Sequence, residues 1–388
     1  MSNYIPYGRQ DINQADIDAV VKVLRSDWIT QGPIIERFEK AVANYCGAKY
    51  AVAVSSATAA LHIACLAANL GKGDILWTSP NTFVASANCG LYCGAEVDFV
   101  DIDANTYNLS IEELETKLVS AAKKDGLPKV LIPVHFAGQS CEMDQIYALS
   151  KQYNFKIIED ASHAIGAKYQ EKSVGCCEFS DMTVFSFHPV KIITTGEGGM
   201  VLTNQEELYQ RLIRLRSHGI TRNPDFMQGE SHGAWYYQQL ELGFNYRITD
   251  IQAALGVSQM NRLDEFVERR RFLAKRYDEL LQNLPITLPW QHPDTESSWH
   301  LYVIRLKLDK ITKSHRQVFE ELHQAGIGVN LHYIPLHFQP YYQQLGFKKG
   351  DFINSEKYYQ EAISIPLYYG LSLEKQDQVV TELQEILL

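Results

Sequence analysis

The stretch Ser186-Phe-His-Pro-Val-Lys-Ile-Ile-Thr-Thr-Gly-Glu-Gly-Gly199 decides how this chain is interpreted. It sets one amine, that of Lys191, among apolar residues and small turn-forming residues. Burial destabilises the ammonium form of a lysine, so a desolvated lysine can act as a Schiff-base nucleophile toward an aldehyde. The stretch therefore predicts a reactive lysine, and the alternative is an ordinary solvated one.

A second stretch, Glu159-Asp160-Ala-Ser-His163, ends a short β-branched segment with an acidic residue. A parallel strand would deliver Asp160 to the rim of a sheet, where its carboxylate can hold a pyridinium nitrogen protonated. Lys191 and Asp160 together predict a site for pyridoxal 5'-phosphate, whose ring is an electron sink while the protein supplies attachment, orientation and charge. A strand-end cap or salt bridge is the alternative for Asp160.

The chain around these stretches alternates helix-like and strand-like segments from about residue 35 to 205. Such alternation indicates βαβ units and predicts an α/β fold with a mostly parallel sheet flanked by helices. The predicted strands are Tyr50–Val54, Ile75–Ser79, Glu96–Val100, Lys129–Val134, Lys156–Glu159, Met182–Phe187 and Gly199–Leu202.

A phosphate seat is predicted where the first of these strands passes into a helix, at Ser56, Ala57 and Thr58. The free N–H groups of a helix start and the nearby hydroxyls favour an anion there. Ser186 can supply a further hydroxyl. A helix N-cap without a ligand is the alternative.

Two more residues complete the predicted cofactor site. The ring of Phe83 can stack on a pyridine face, and His163 can bind the phenolic oxygen of the cofactor. For each of these two residues, the alternative is a position in the hydrophobic core. All of these residues follow predicted strands, and ligands of open α/β sheets bind at the carboxyl ends of strands.

Helix signals organise the rest of the chain. The pairs Ser110/Glu113, Asn204/Glu207 and Thr249/Gln252 predict capped helix starts. The last pair opens a long helical stretch, Ile251–Leu284, in which a kink near Asn261 is expected. We expect this stretch to join a large cofactor-binding domain with an N-terminal arm, residues 1–258, to a smaller C-terminal α+β domain, residues 259–388.

Composition limits the class of protein. A net charge of −10 over 388 residues disfavours nucleic acid and anionic membranes as partners. With no signal-peptide pattern and no apolar run of membrane-spanning length, a cytoplasmic protein is expected. The 7 cysteines are scattered, so neither a disulfide framework nor a metal site is predicted.

The chain resembles the DegT/DnrJ/EryC1/StrS family of fold-type I sugar aminotransferases nearly from end to end. The resemblance implies a seven-stranded sheet in the large domain. Motifs that carry the resemblance are Trp28-Ile-Thr-Gln-Gly-Pro33, Ser55–His62, Pro80–Ser86, Glu159–Ala164, Ser186–Gly199, Arg216-Ser-His-Gly219, Gly243-Phe-Asn-Tyr-Arg-Ile-Thr-Asp250 and Ser298-Trp-His-Leu-Tyr-Val303.

By matching position, the resemblance implies catalytic roles for Lys191 and Asp160. It implies that Asn245 reaches the cofactor phosphate of the other subunit, which predicts a homodimer with shared active sites; a turn asparagine is the alternative. The implied cofactor-binding residues are Ser56, Ala57, Thr58, Phe83, Asp160, His163, Ser186, Lys191 and Asn245.

Two departures from the common family pattern point to a substrate. Ala57 stands where glycine is usual and His163 where glutamine is common. Both are similar to the branch that aminates UDP-linked 4-keto sugars in pseudaminic acid biosynthesis, with glutamate as the expected amino donor. Expected sugar-nucleotide contacts, with packing between domains as their alternative, are Tyr7, Trp28, Thr30, Asn330, His332 and Tyr333.

Three other functions stay open at this point. One is amination of a different keto sugar linked to UDP, dTDP or GDP. Another is dehydration, which relatives with histidine at the lysine position perform, although Lys191 favours amino transfer. The third is a cofactor-binding regulator, which would carry an added DNA-binding region.

Overall fold

The computed structural model describes residues 4–124 and 126–388. Its strands are β1 (Tyr50–Val54), β2 (Ile75–Thr78), β3 (Glu96–Phe99), β4 (Val130–Ile132), β5 (Lys156–Asp160), β6 (Lys168–Tyr169), β7 (Lys172–Ser173), β8 (Met182–Ser186), β9 (Gly199–Thr203), β10 (Ile220–Thr221), β11 (Gln238–Gln239), β12 (Ile286–Thr287), β13 (Thr295–Glu296), β14 (Tyr302–Leu306) and β15 (Ala362–Ile365).

The helices occupy both halves of the chain. They are α1 (Gln14–Leu24), α2 (Pro33–Cys46), α3 (Ala57–Ala67), α4 (Ala85–Tyr92), α5 (Ile111–Ala121), α6 (Met143–Tyr153), α7 (Glu206–Arg216), α8 (Asp250–Met260), α9 (Leu263–Leu281), α10 (His315–Gln324), α11 (Pro340–Gln344), α12 (Ile353–Glu361) and α13 (Leu373–Leu387), with short 3-10 turns at Phe136–Gly138, Pro224–Phe226 and Leu336–Phe338.

The central sheet has seven strands in the order β1-β9-β8-β5-β4-β2-β3. Strand β9 runs antiparallel to both of its neighbours, and the remaining pairs are parallel. Six strands therefore point in one direction and end at the same edge. The predicted α/β class and the seven predicted strands are confirmed.

Alternation along the strands explains why helices cover both faces of this sheet. Val184 and Val201 pack with the small residues of α3 in one core cluster. Their neighbours Phe185 and Met200 point the other way and pack with Phe38 of α2 in a second cluster. Because side chains alternate between faces, each strand contributes apolar surface to two layers.

The C-terminal part has its own antiparallel sheet, β12-β14-β15. Tyr302 and Ile304 of β14 pack there with Leu273 of α9 and Val380 of α13. This is the α+β arrangement expected for the end of the chain. The division at residues 258/259 stays a prediction.

The helical stretch predicted over Ile251–Leu284 is divided near Asn261, where a kink is expected, into the separate helices α8 and α9. Arg262 leaves helical geometry, with φ −115° and ψ 7°. Its guanidinium forms ion pairs of 2.7 Å with Asp11 and with the buried Asp16. Partners distant in sequence thus hold the residue at which the helix is interrupted.

Of the three pairs placed as capping boxes, one forms the complete box and a second forms only its N-cap bond. Thr249 and Gln252 form a capping box, and the Ser110 side chain accepts from the N–H of Glu113. Asn204 does not cap α7, since its Oδ1 accepts from the backbone N–H of Lys49 over 2.9 Å while its amide nitrogen donates to the carbonyl oxygens of Cys176 and Cys177. A tertiary contact has replaced the local one.

Candidate active site

A cavity of about 510 Å³ lies at the edge of the central sheet where β1, β2, β5 and β8 end. Two groups of predicted residues line it. We call the residues at the strand ends the sheet wall, represented by Ser56, Asp160, Ser186 and Lys191. We call those from the N-terminal arm and the segment after Val329 the loop wall, which consists of Tyr7, Asn330, His332 and Tyr333.

Lys191 lies in the turn that follows β8. Its backbone N–H donates to the carbonyl of His188 over 2.9 Å, and its side chain is open to the cavity but otherwise enclosed by protein. Burial lowers the pKa of the amine from its ordinary 10.5 to about 8, against the opposing effect of the Asp160 charge. A substantial fraction is therefore neutral and nucleophilic near neutral pH.

Asp160 ends β5 and is buried at the floor of the cavity. Its carboxylate accepts hydrogen bonds from the Ser86 hydroxyl, 2.6 Å away, and from the N–H of Ser162, 3.1 Å away. Ser86 in turn contacts the hydroxyl of Thr82 over 2.8 Å. These bonds fix the carboxylate and leave it an acceptor for a cationic group in the cavity.

The predicted phosphate seat has the geometry of a helix start. Ser56 is the N-cap of α3, and its hydroxyl accepts from the N–H of Ala59 over 3.1 Å. In the described part of the chain, the N–H groups of Ala57 and Thr58 donate to no protein acceptor. A Cβ on Gly199 would lie 2.5 Å from the Ser56 backbone, so glycine lets β9 begin directly against this seat.

Phe83 and His163 differ in burial: Phe83 lies outside the core and His163 lies within it. Phe83 is 57% exposed and lines the cavity, so its ring is not a core residue. His163 is buried, and its ring nitrogens contact Ala137 N over 3.3 Å and Tyr333 Oη over 3.1 Å. Burial, followed by the charge of Lys191, lowers its pKa well below the ordinary value.

The loop wall is built from segments far apart in the chain. The rings of Tyr7 and His332 lie 5.3 Å apart, and the N–H of Tyr333 donates to Asn81 over 3.2 Å. The His332 imidazole contacts the Ser364 hydroxyl over 2.8 Å, and burial together with the Lys191 charge lowers its pKa to about 3. His332 is thus a neutral group beside the reactive amine.

The structure does not bring three of the predicted residues into this cavity. Trp28 is 59% exposed, Thr30 is exposed, and neither lines the cavity. Asn245 is exposed beyond the end of α7, where it bridges to Ser217. The roles of these three residues remain predictions.

Sequence reasoning gave no role to three of the titratable residues that line the cavity, namely His188, Glu197 and His300. His188 and Glu197 lie inside the quoted lysine stretch, so their position was a usable signal. His300 comes from a motif after β13, and its ring packs at a tilt against that of His163, with 4.3 Å between centroids. That contact is tertiary and has no local signal.

The residues present fit pyridoxal 5'-phosphate. A reactive amine, an anchored carboxylate, an aromatic ring and a helix start with unused N–H groups meet in one cavity. When bound, the cofactor supplies an aldehyde for the amine and an electron sink for charge developing on a substrate carbon. Within residues 4–124 and 126–388, no cluster of histidine, cysteine or acidic residues is suited to a metal ion.

Comparison with known proteins identifies the family. The chain belongs to the DegT/DnrJ/EryC1/StrS aminotransferase family, which it matches over residues 10–384. It is 38% identical to UDP-4-amino-4,6-dideoxy-N-acetyl-beta-L-altrosamine transaminase from Campylobacter jejuni over 371 residues, covering 95% of this chain and 94% of that protein.

Solved structures agree with this assignment. Helicobacter pylori PseC, an aminotransferase involved in the biosynthesis of pseudoaminic acid, superposes with a TM-score of 0.89 at 32% identity over 99% of each chain. The PLP-form of the putative sugar aminotransferase Spr1654 from Streptococcus pneumoniae gives 0.88 at 30% identity, over 99% of this chain and 100% of that one. The protein is a fold-type I, pyridoxal phosphate-dependent sugar aminotransferase.

Proposed function

We propose that this enzyme transfers an amino group from L-glutamate to C4 of a UDP-linked 4-keto-6-deoxy-N-acetyl hexosamine, in pseudaminic acid biosynthesis. The observation that carries the proposal is the meeting of Lys191, Asp160 and a polar-aromatic loop wall in one cavity. Similarity to the altrosamine transaminase and to PseC supports the choice of sugar.

Each residue of the sheet wall has a defined task in this proposal. The Nζ atom of Lys191 holds the cofactor and, once released, takes and returns the proton at the reacting carbon. Asp160 keeps the ring nitrogen protonated. The start of α3, with Ser56, and the Ser186 hydroxyl hold the phosphate.

The carboxylate of the amino donor needs a cationic partner. Two arginines, Arg216 and Arg247, were considered for this role, and they differ in whether their guanidinium groups already have protein partners. Arg216 is paired with Glu39 and donates to the Ala53 carbonyl over 2.8 Å. Arg247 bridges β1 at Val54, and its guanidinium has no protein partner in the part of the chain described. We therefore propose Arg247 for the glutamate carboxylate, either in its own site or in that of a second copy.

A homodimer with shared sites is part of the same proposal. Asn245 is exposed outside its own cavity, and the segment before it carries exposed apolar side chains, Trp235 at 75% and Leu242 at 79%. An exposed apolar patch of this kind is typical of a surface that another protein chain covers. Mixing inactive Lys191→Ala with Asn245→Ala subunits tests this, because a mixed dimer regains one intact site only if Asn245 acts across the interface.

The substrate is tested with purified enzyme, glutamate and a panel of keto sugars carrying UDP, dTDP or GDP. We expect the UDP-linked 4-keto-6-deoxy-N-acetyl sugar to have the highest kcat/KM. Preference for a dTDP sugar would overturn the substrate proposal while leaving amino transfer intact. Release of ammonia without an amino acceptor would indicate a dehydratase.

A regulator without catalytic activity would hold the cofactor but fail to convert it to the amine form with glutamate. The same assay, followed by absorbance, excludes or supports that alternative.

We also propose that the enzyme works in the cytoplasm. All 7 cysteines are free thiols, as expected in a reducing compartment. None of the helices in the described ranges is both long enough and apolar enough to cross a membrane. Fractionation of cells that produce the protein tests this location.

A further inference from the structure

His163 is held in one orientation by two neighbouring segments, residues 136–138 and 298–300. The Ala137 N–H donates to its Nδ1, the His300 ring packs against it at a tilt of 41°, and the Ser298 hydroxyl donates to its carbonyl over 3.0 Å. A Cβ on Gly138 would lie 2.9 Å from the backbone nitrogen of Trp299, so glycine is needed for these segments to approach. The imidazole therefore has little freedom to turn.

This orientation determines which nitrogen of His163 carries the proton. Nδ1 is an acceptor, since the Ala137 N–H points at it. The ring is neutral because burial and the Lys191 charge lower its pKa. The proton therefore lies on Nε2, which is 3.1 Å from Tyr333 Oη and donates to it.

The hydroxyl of Tyr333 accepts from His163 and keeps its own hydrogen. Burial, and then the negative charge of Asp160, raise the pKa of Tyr333, so the phenol stays protonated. Among the described residues, His163 is its one hydrogen-bond partner through the hydroxyl. Because Tyr333 lines the cavity, this hydrogen is left for a ligand oxygen.

A backbone hydrogen bond and two aromatic contacts also hold the phenol of Tyr333 in place. Its N–H donates to Asn81, and its ring centroid lies 6.3 Å from those of both Phe83 and Phe136. A donor held in this way costs little reorganisation when charge develops on its acceptor.

We propose that Tyr333 is a catalytic residue whose hydroxyl donates a hydrogen bond to the keto oxygen of the sugar, and that His163 is a positioning residue acting through it. The bond strengthens as negative charge grows on that oxygen, so it favours the transition state. The inference rests on the proposed function only in needing a keto sugar, whichever nucleotide it carries. The role proposed here for His163 replaces the expected contact with the cofactor, because both ring nitrogens of His163 already have protein partners.

The test follows the two half-reactions separately through the absorbance of the bound cofactor, using the sugar that the unmodified enzyme converts fastest. For Tyr333→Phe we expect the sugar half-reaction to slow about 10²-fold, as for loss of one preorganised donor. The glutamate half-reaction and the resting cofactor spectrum should be unchanged. Tyr341→Phe, at a tyrosine that is 55% exposed outside the cavity, is the matched control.

Two variants of His163 separate positioning from cofactor binding. His163→Phe keeps a ring but loses the Nε2 donor, so the sugar half-reaction should slow with no change in the cofactor spectrum. His163→Gln retains a side-chain N–H and should recover part of that loss.

Several outcomes would overturn the inference. Equal slowing of both half-reactions by Tyr333→Phe, or no slowing, would remove Tyr333 from the sugar step. A shifted cofactor spectrum in His163→Phe with a normal sugar step would return His163 to the cofactor. An unmodified enzyme that reacts with glutamate but with no keto sugar would overturn the proposed function, and this inference with it.

Discussion

The sheet wall and the loop wall of the cavity are built in different ways. Asp160 and Ser186 are the last residues of buried parallel strands, so the central sheet fixes their positions directly. Tyr7 and Tyr333 lie in irregular segments more than 300 residues apart. These segments meet through backbone hydrogen bonds of Ile5 with Gly326 and Gly328 and through the contact of the Tyr7 and His332 rings. The residues proposed for the cofactor chemistry therefore lie on the rigid element, and the contacts proposed to select the sugar lie on loops.

A few bonds connect the loop wall to the rest of the molecule. The Asn330 backbone pairs with Ser364 of β15, and the Tyr358 hydroxyl donates to the His332 carbonyl over 2.6 Å. Tyr333 bonds to Asn81 beyond β2. Changes in this wall should therefore affect the sugar step, whereas changes in the sheet wall should affect the cofactor and both half-reactions.

The largest effect is expected for Lys191→Ala, which removes both attachment and the proton-transferring base. We expect each half-reaction to slow at least about 10⁴-fold. Borohydride reduction followed by peptide mapping should label Lys191 in the unmodified enzyme and leave the variant unlabelled. Lys349→Ala, at an exposed lysine, is the control. A label on a different lysine would contradict the assignment of the sheet wall.

The lowered pKa of Lys191 predicts a pH profile for cofactor attachment to the apoprotein. Only the neutral amine attacks an aldehyde, so the rate should rise with pH up to a plateau, with a midpoint near the pKa of about 8. At pH 7 the neutral fraction would be about 300-fold larger than for an ordinary lysine of pKa 10.5. Stopped-flow absorbance from pH 6 to 10 measures this; a midpoint above 10 would show a solvated amine.

Asp160→Asn should slow both half-reactions about 10²-fold, since it removes a charged hydrogen-bond partner and leaves a neutral side chain of similar size. The control is Asp181→Asn, at the opposite end of the sheet, where the carboxylate pairs with Lys156 over 2.8 Å. That variant should lose stability in urea unfolding but keep its activity. Equal activity losses in the two variants would show that the sheet edge at Asp160 has no special part in catalysis compared with the edge at Asp181.

Ser56→Ala removes a hydroxyl that caps α3 and, in the proposal, binds phosphate. We expect about 10-fold weaker cofactor binding and a stability loss of about 1 kcal/mol. Ser110→Ala removes an equivalent cap from α5, away from the cavity, and should reproduce only the stability loss. Cofactor titration and urea unfolding measure the two quantities. If Ser56→Ala binds the cofactor as tightly as the unmodified enzyme does, Ser56 acts only as a helix cap.

The smallest effect is expected in the loop wall. Asn330→Ala should raise the KM for the sugar nucleotide about 5-fold, in the range of one neutral hydrogen bond, and leave the glutamate half-reaction unchanged. Gln343→Ala, on the exposed side of α11, is the control. A change in the glutamate half-reaction of Asn330→Ala would show that the two walls are not independent.

Local sequence signals predicted those parts of the molecule in which local and tertiary preferences agree. The seven strands and the capping box at Thr249 belong to this group. Asn204 shows the limit, because its side chain bonds to a distant loop instead of capping α7. His300 shows the other limit, since its ring contact with His163 leaves no periodic pattern in the sequence.

The sequence by itself determined the alternating α/β pattern and the position of Lys191, Asp160 and Ser56 at strand ends, because hydrophobic periodicity and turn chemistry are local properties. The tertiary structure decided which residues face them. The distance from His163 to Tyr333, and hence the direction of their hydrogen bond, depends on how the C-terminal segment packs on the central sheet. No local pattern encodes that contact, since its free energy comes from groups distant in the chain.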